Sequence, residues 1–358
     1  MSTNDKRDLT LILVGETNIQ GREDPAEAFK HVLPILKSAD VLFGHLEAPL
    51  TPPSEDPTCP DIPHKEEWRH SGPHTVKAFS EAGYAAVSLA SNVMYGRRAI
   101  LDTVDTLDQA GIKHCGAGGN IEEARRPAVV SCQGVRFGFL SYTSVFWPVG
   151  HAAGPASPGV ATMKTHTAYQ PGRRALEMPG AAPIVVTWPD PQALTALQTD
   201  IQTLRGQVDI VVVSIHWGLS SSNQVVDYQR EVGRAAIRAG ANLVMGHHPH
   251  RIQGIEIIDG HPICYSMGNF AFDWHKMHDR NLEGIVIKCR VRDRTLDRIT
   301  FVPMRRNQDN LVEPLSPSCG PGSEIVAQIR ELSAVYGTGF TVVADDGVVI
   351  VRPQEEER

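Results

Sequence analysis

The chain has 358 residues, 41% hydrophobic and 21% charged, enough to build a buried core without disulfide or metal staples. Its formal net charge of −7 gives no electrostatic footprint for non-specific nucleic-acid binding. Six cysteines without a CxxC pair, and a polar MSTNDKRD start whose following LTLILVG is too short for a signal or a membrane span, give the expectation of a cytoplasmic protein with free thiols and no membrane or nucleic-acid partner.

Short apolar runs alternate with helical patterns along the chain. Residues 9–15 read as a buried strand, 23–39 as a helix kinked or broken near Pro34, and 40–47 as the next strand. Residues 51–73 are rich in proline, aspartate and charge, without periodicity, and read as a loop. A helix over 74–84 ended by Gly83, a strand over 85–91, an amphipathic helix over 97–111 and a strand over 135–144 come next. Residues 145–190 break the rhythm and read as a long surface insertion, placed to cross a site. The alternation resumes with a helix at 191–206, a strong strand at 208–218, a helix at 224–240 and a strand at 241–250 that runs into HHPH. Strand-like runs then dominate (252–258, 262–270, 283–291, 298–304), before a helix at 324–333 and a β-like tail at 339–353. The expectation is an α/β fold with layered, mixed sheets, forming a single domain over 1–358 with a β-rich C-terminal part from about 280.

Polar residues recur at one topological place, directly after predicted strands, where open α/β sheets gather their ligands. Glu16 follows the first strand, His45 and Glu47 belong to the second, Asn92 to the third; His216 ends the strongest strand, His247, His248 and His250 the next, and Asn269 and Asp273 come later. Imidazoles suit Zn or Mn, and carboxylates suit Mn or Ca, so a divalent ion of uncertain identity (Mn, Zn or Ca) is expected. Glu47, His216, His248 and His250 are expected to converge, with Glu16 and Asn92 at the edge of the site and His45, His247, Asn269 and Asp273 behind the ligands. An extended turn around Pro249 is expected to point His248 and His250 to one side. In the insertion, Arg173 and Arg174 are candidates to hold a carboxylate, with Trp147 and Trp188 covering an apolar group.

GHLEAPL (44–50), LASN (89–92), GAGGN (116–120) with EARRP (123–127), SIHWG (214–218), AGANLVMGHHPHRIQGIE (239–256) and ICYSMGNFAFD (263–273) occur in that order. Together they resemble the CapA-type family of poly-γ-glutamate capsule biosynthesis, over about residues 9–275. The resemblance implies a calcineurin-like αββα sandwich with a metal centre at Glu16, Glu47, Asn92, His216, His248 and His250. This chain departs from the pattern: Glu16 stands where the family opens with Asp, Val93 stands where a catalytic His usually follows the Asn, and Leu219, Ser220 and Ser221 follow HWG without the usual acid. Since that His serves phosphoester cleavage, the departures point away from hydrolysis. The family's association with D-glutamate polymers, and its likeness to peptide epimerases of lasso-peptide pathways, imply a metal-dependent isomerase. Its expected reaction is epimerisation at a peptide or polyglutamate-like α-carbon, with His216, His248 and His250 as catalytic groups. The alternatives are a phosphoester hydrolase and a non-catalytic polymer-binding protein of capsule assembly.

Overall fold

The computed structural model describes residues 8–56, 58–343 and 347–351. Two mixed sheets pack face to face, and short helices cover both outer faces. One sheet is built around Leu9–Asn18, which pairs in parallel with Val41–Leu46 and Asn269–Phe272 and antiparallel with Glu283–Arg292. Ala86–Ser88 and Lys113–Cys115 extend it on one side, Thr295–Arg306 and the tail strands Gly339–Val343 and Gly347–Val351 on the other. The second sheet centres on Ile210–His216 between Val135–Thr143 and Leu243–His247, all parallel. Ala128–Cys132, His261–Cys264 and Ile255–Ile258 complete it.

The sequence builds this layering through period-two alternation inside strands that are apolar on both faces. Leu9, Leu11 and Leu13 face the opposing sheet, while Ile12 and Val14 face the helical layer. On the partner sheet Ile210 and Val212 point inward, and Val211, Val213 and Ile215 meet the outer helices. Phe43 and Phe139 stack across the interface with ring centroids 4.2 Å apart. Each such fully buried side chain stabilises the fold by about 1.5–3 kcal/mol. The αββα architecture is the one expected from the sequence.

Several local expectations change. The helix expected over 23–39 is a 3-10 turn at Pro25–Phe29 and a separate short helix at Leu33–Lys37, because Pro34 has no N–H to continue a helix and sits instead in a first turn. The expected strand 85–91 keeps ladder pairing only over Ala86–Ser88, after which the chain turns. The segment 145–190 is not irregular throughout: Thr165–Gln170 and Ile184–Pro189 form an antiparallel hairpin. The short strands Lys113–Cys115 and Ala128–Cys132 add to those expected. Parts of the expected β tail, 344–346 and 352–353, lie outside the described residues. Among the described residues no helix is long and apolar enough to cross a membrane.

Candidate metal centre

Strand register sets the site. Glu16 lies opposite Asn269 on one side and His45 on the other, and His45 lies opposite Ser88. In the second sheet His216 lies between Thr143 and His247. Two rows of polar residues therefore meet at the carboxyl ends of parallel strands. A register shift between Val14 and Glu16 leaves Gly15 as an extra residue, a bulge of the kind that re-aims a side chain. Glycine is required there by proximity: a Cβ on Gly15 would stand 2.7 Å from the Gly268 carbonyl oxygen. The same bulge sets Glu16 against His45 rather than Leu46.

Glu16, Glu47 and His250, all buried, offer ligand atoms within 4.8 Å of one another. His250 Nδ1 lies 2.7 Å from Glu16 Oε2, 3.9 Å from Glu47 Oε2 and 3.0 Å from Asn269 Oδ1. His216 Nε2 lies 3.5 Å from Glu47 Oε1. The ring of His248 stands 4.7 Å from that of His216 and 5.8 Å from that of His250. Glu16 is thus at the centre of the cluster rather than at its edge, a correction to the sequence expectation that comes from the bulge at Gly15.

The turn holding His248 and His250 is not extended. His248 has φ 88° and His250 φ 55°, left-handed backbone that non-glycine residues seldom adopt, and least readily before a proline. Such strain persists only where surroundings over-determine it. Here the His248 N–H donates to Glu16 Oε1, and the Ser221 N–H donates to the Pro249 carbonyl at 2.8 Å.

Burial sets the protonation. It drives Glu16 and Glu47 above the usual carboxylate range, and the Glu16 charge pushes Glu47 further up. It drives His216, His247 and His248 well below the ordinary imidazole value, lowers His250, and brings His45 to about 3. His216 Nε2 and His248 Nδ1 are buried without a hydrogen-bond partner, and the two carboxylates crowd one another beside the His250 ring. Neutral imidazoles with unsatisfied lone pairs and paired carboxylates are the donor set a divalent ion takes, so these residues fit one.

The other predicted residues fall into two groups. His45 and His247 stack at 4.4 Å behind the cluster, with His45 Nδ1 2.9 Å from Ser88 Oγ. Asn269 braces His250 and donates to the Asn281 carbonyl at 2.9 Å. Asp273 turns away and is paired with Arg22 at 2.6 Å, so it does not back a ligand. Asn92 keeps a buried, unpartnered Oδ1, but no hydrogen bond or ion pair among the described residues ties it to the carboxylates. Trp147 stacks on His64 at 4.1 Å. Arg173 and Arg174 lie in an exposed 3-10 turn between the hairpin strands, and Trp188 stacks on His166 at 5.6 Å. Among the described residues no hydrogen bond, ion pair or ring contact joins these last three to the cluster. Sequence reasoning missed Lys65, whose charge acts on Glu16 and Glu47, because the 51–73 segment carries no periodic signal.

The model of the bacterial capsule synthesis protein PGA_cap family matches residues 9–274. The chain belongs to that family. It is 29% identical over 307 residues to the capsule biosynthesis protein CapA of Bacillus anthracis, covering 83% of this chain and 67% of that protein. It is 29% identical over 259 residues to the PGA biosynthesis protein CapA of Bacillus subtilis (strain 168), covering 71% of this chain and 59% of that protein. A probable polyglutamine synthesis accessory protein of Mycobacterium tuberculosis is 28% identical over 207 residues, 56% of this chain and 49% of that one. Among solved structures, a hypothetical protein from Thermus thermophilus aligns with TM-score 0.47 and 11% identity over 83% of this chain and 99% of that one.

Proposed function

We propose that this PGA_cap family member is a metal-dependent acid/base enzyme that epimerises the α-carbon of a glutamate-containing peptide or polymer. The observation that carries the reading is the buried Glu16–Glu47–His250 cluster beside the unsatisfied imidazoles of His216 and His248. The names of the Bacillus relatives, capsule and PGA biosynthesis proteins, support a polyglutamate-like substrate. Glu16, Glu47 and His250 would hold the ion. When bound, a divalent ion supplies Lewis-acid charge that stabilises the enolate-like oxygen of a deprotonated α-carbon. Burial holds His216 and His248 below the ordinary imidazole value, so His248, the less buried of the two at 7% exposed, meets the substrate unprotonated. Its ring takes the α-proton, and a proton from solvent delivered to the opposite face completes inversion. The left-handed turn at His248 sets the direction in which its side chain leaves the backbone.

Incubation of the Mn-loaded protein in D₂O with γ-linked and α-linked glutamate oligomers tests this. Deuterium at the α-carbon with inversion is expected from wild type. His248→Ala is expected to lose inversion by about 10²–10⁴-fold, as removal of one positioned acid/base group typically does. No α-deuterium in any oligomer with the loaded wild type would end the epimerase reading.

Phosphoester hydrolysis is disfavoured by Val93, which is fully buried against Ile62 and Trp68 and offers no proton. Turnover of p-nitrophenyl phosphate and bis-p-nitrophenyl phosphate is therefore expected to stay near the rate of free metal. Robust metal-dependent hydrolysis of either would put the hydrolase reading first.

A further inference from the structure

A cavity of about 240 Å³ adjoins the metal cluster, and the acid/base chemistry does not use it. His250 and the next residue, Arg251, both line it. Two loops close much of the rest: Asn223 comes from the loop after Ile210–His216, and Asn281 from the loop after Asn269–Phe272.

Arg251 is exposed, yet its guanidinium is held in one direction. Nε donates to Asn281 Oδ1 and Nη1 to Asn223 Oδ1, each at 3.0 Å. Both acceptors are neutral amides, and both are anchored in turn. Asn223 Nδ2 donates to the Ile252 carbonyl at 2.7 Å, and Asn281 Nδ2 donates to Ser221 Oγ at 3.0 Å. Among the described residues Arg251 forms no ion pair, and its Nη2 donates to none of them. A guanidinium with that edge open presents the fork that carboxylates take bidentately. Because its direction is set before a ligand arrives, less side-chain freedom is lost on binding.

The tie from this arginine to the metal cluster is short. The Asn281 carbonyl accepts from Asn269 Nδ2 at 2.9 Å, and Asn269 Oδ1 lies 3.0 Å from His250 Nδ1. Asp279, Arg280 and Glu283 also line the cavity. Its formal charges therefore balance, so it is no general anion patch. It suits one carboxylate at one fixed guanidinium.

We propose that Arg251 is a substrate-binding residue that takes one free carboxylate of the glutamate-containing substrate, lodged in this cavity beside His250. The assignment rests on the function proposed above, and its test separates the two. Wild type, Arg251→Gln and Arg251→Lys, each with Mn²⁺ added, are titrated calorimetrically with a γ-linked glutamate tetramer and with its methyl ester. Deuterium uptake at the α-carbon is followed in D₂O with the same tetramer.

Arg251→Gln is expected to weaken tetramer binding on the order of 10–100-fold, the scale of one charge-assisted hydrogen bond, and to leave ester binding within about 3-fold of wild type. Lysine keeps the charge without the fork and is expected to fall between. Melting temperatures confirm that the variants are folded. Equal weakening of tetramer and ester, which a merely structural arginine would give, overturns the assignment. So does unchanged tetramer affinity in Arg251→Gln, or no tetramer binding by wild type. Loss confined to the free carboxylate, with no α-deuterium in wild type, would end the epimerase reading and keep the cavity as the carboxylate site. Deuterium uptake by wild type with unchanged affinity in the glutamine variant would do the reverse.

Discussion

Arg306→Met is expected to lower the unfolding free energy by about 2–4 kcal/mol, the cost of leaving buried carbonyls without their donor. Arg306 is 1% exposed, and its guanidinium donates to the carbonyls of Phe272 at 2.8 Å, Met277 at 2.7 Å and Arg280 at 3.1 Å. Burial brings its pKa down to about 10, against the pull of Asp273. Methionine fills much of the volume but takes the donor from the Met277 and Arg280 carbonyls, at about 1–3 kcal/mol for each buried group, while the Phe272 carbonyl keeps the Asn310 amide at 3.0 Å. The damage reaches the site through a short relay. Arg306 also donates to the Asn281 carbonyl, which accepts from Asn269, and Asn269 lies against His250. Urea unfolding followed by circular dichroism measures the loss, and a change under about 1 kcal/mol would show that the network is not structural. Lysine at this position keeps the charge but not the planar fork, so it should fall between the two.

Glu47→Gln should change stability and metal affinity in opposite directions. The sign comes from linkage. In the metal-free fold the Glu47 pKa is raised above its unfolded value, first by burial and then by the Glu16 charge. A raised carboxyl pKa means the fold prefers the protonated group. It therefore disfavours folding at pH above the folded pKa, and the penalty disappears as pH falls through that value toward the unfolded one. Glutamine is neutral at every pH. The metal-free variant should be more stable than wild type at neutral pH, by about 1.4 kcal/mol for every tenfold by which folding raises the carboxylate's proton affinity, and the gain should vanish in acid. Its affinity for Mn²⁺ should fall on the order of 100-fold or more, beyond the 10–100-fold typical of residues behind the ligands. Thermal melts with and without metal read both effects, since wild type alone should gain about 2.7 kcal/mol at a hundredfold excess over its Kd. A metal-induced stabilisation of equal size in the variant would contradict the ligand assignment.

The sheets and most of the site were legible in sequence for one physical reason: both depend on strands buried on two faces. LTLILVG and VDIVVVSIHWG are apolar runs that only a doubly covered strand explains, and the residues directly after such a strand in an α/β fold lie at the ligand-binding edge. Glu16, Glu47, His216, His248 and His250 could be placed together on that ground. The bulge that centres Glu16 leaves only a glycine in sequence, and a glycine has many uses. The left-handed turn at His248 runs against the local preference before proline, so no propensity argument finds it. Lys65 comes from a segment without periodicity, and Arg306 sits at the end of a strand whose apolar run ends at Met304. Arg306 is fixed by contacts with residues distant in the chain. The hairpin in 145–190 escaped because Thr165–Gln170 is largely polar and Ile184–Pro189 buries only its last residue, so neither strand carries an alternating apolar face.

Anomalous diffraction from Mn-loaded crystals of the wild-type protein tests the central claim most directly. A difference peak bounded by Glu16, Glu47 and His250, absent from Glu47→Gln crystals grown in the same Mn²⁺ concentration, is the predicted result. Ordered, metal-soaked crystals with no peak inside that cluster, or with Mn²⁺ only at exposed carboxylates, would contradict it.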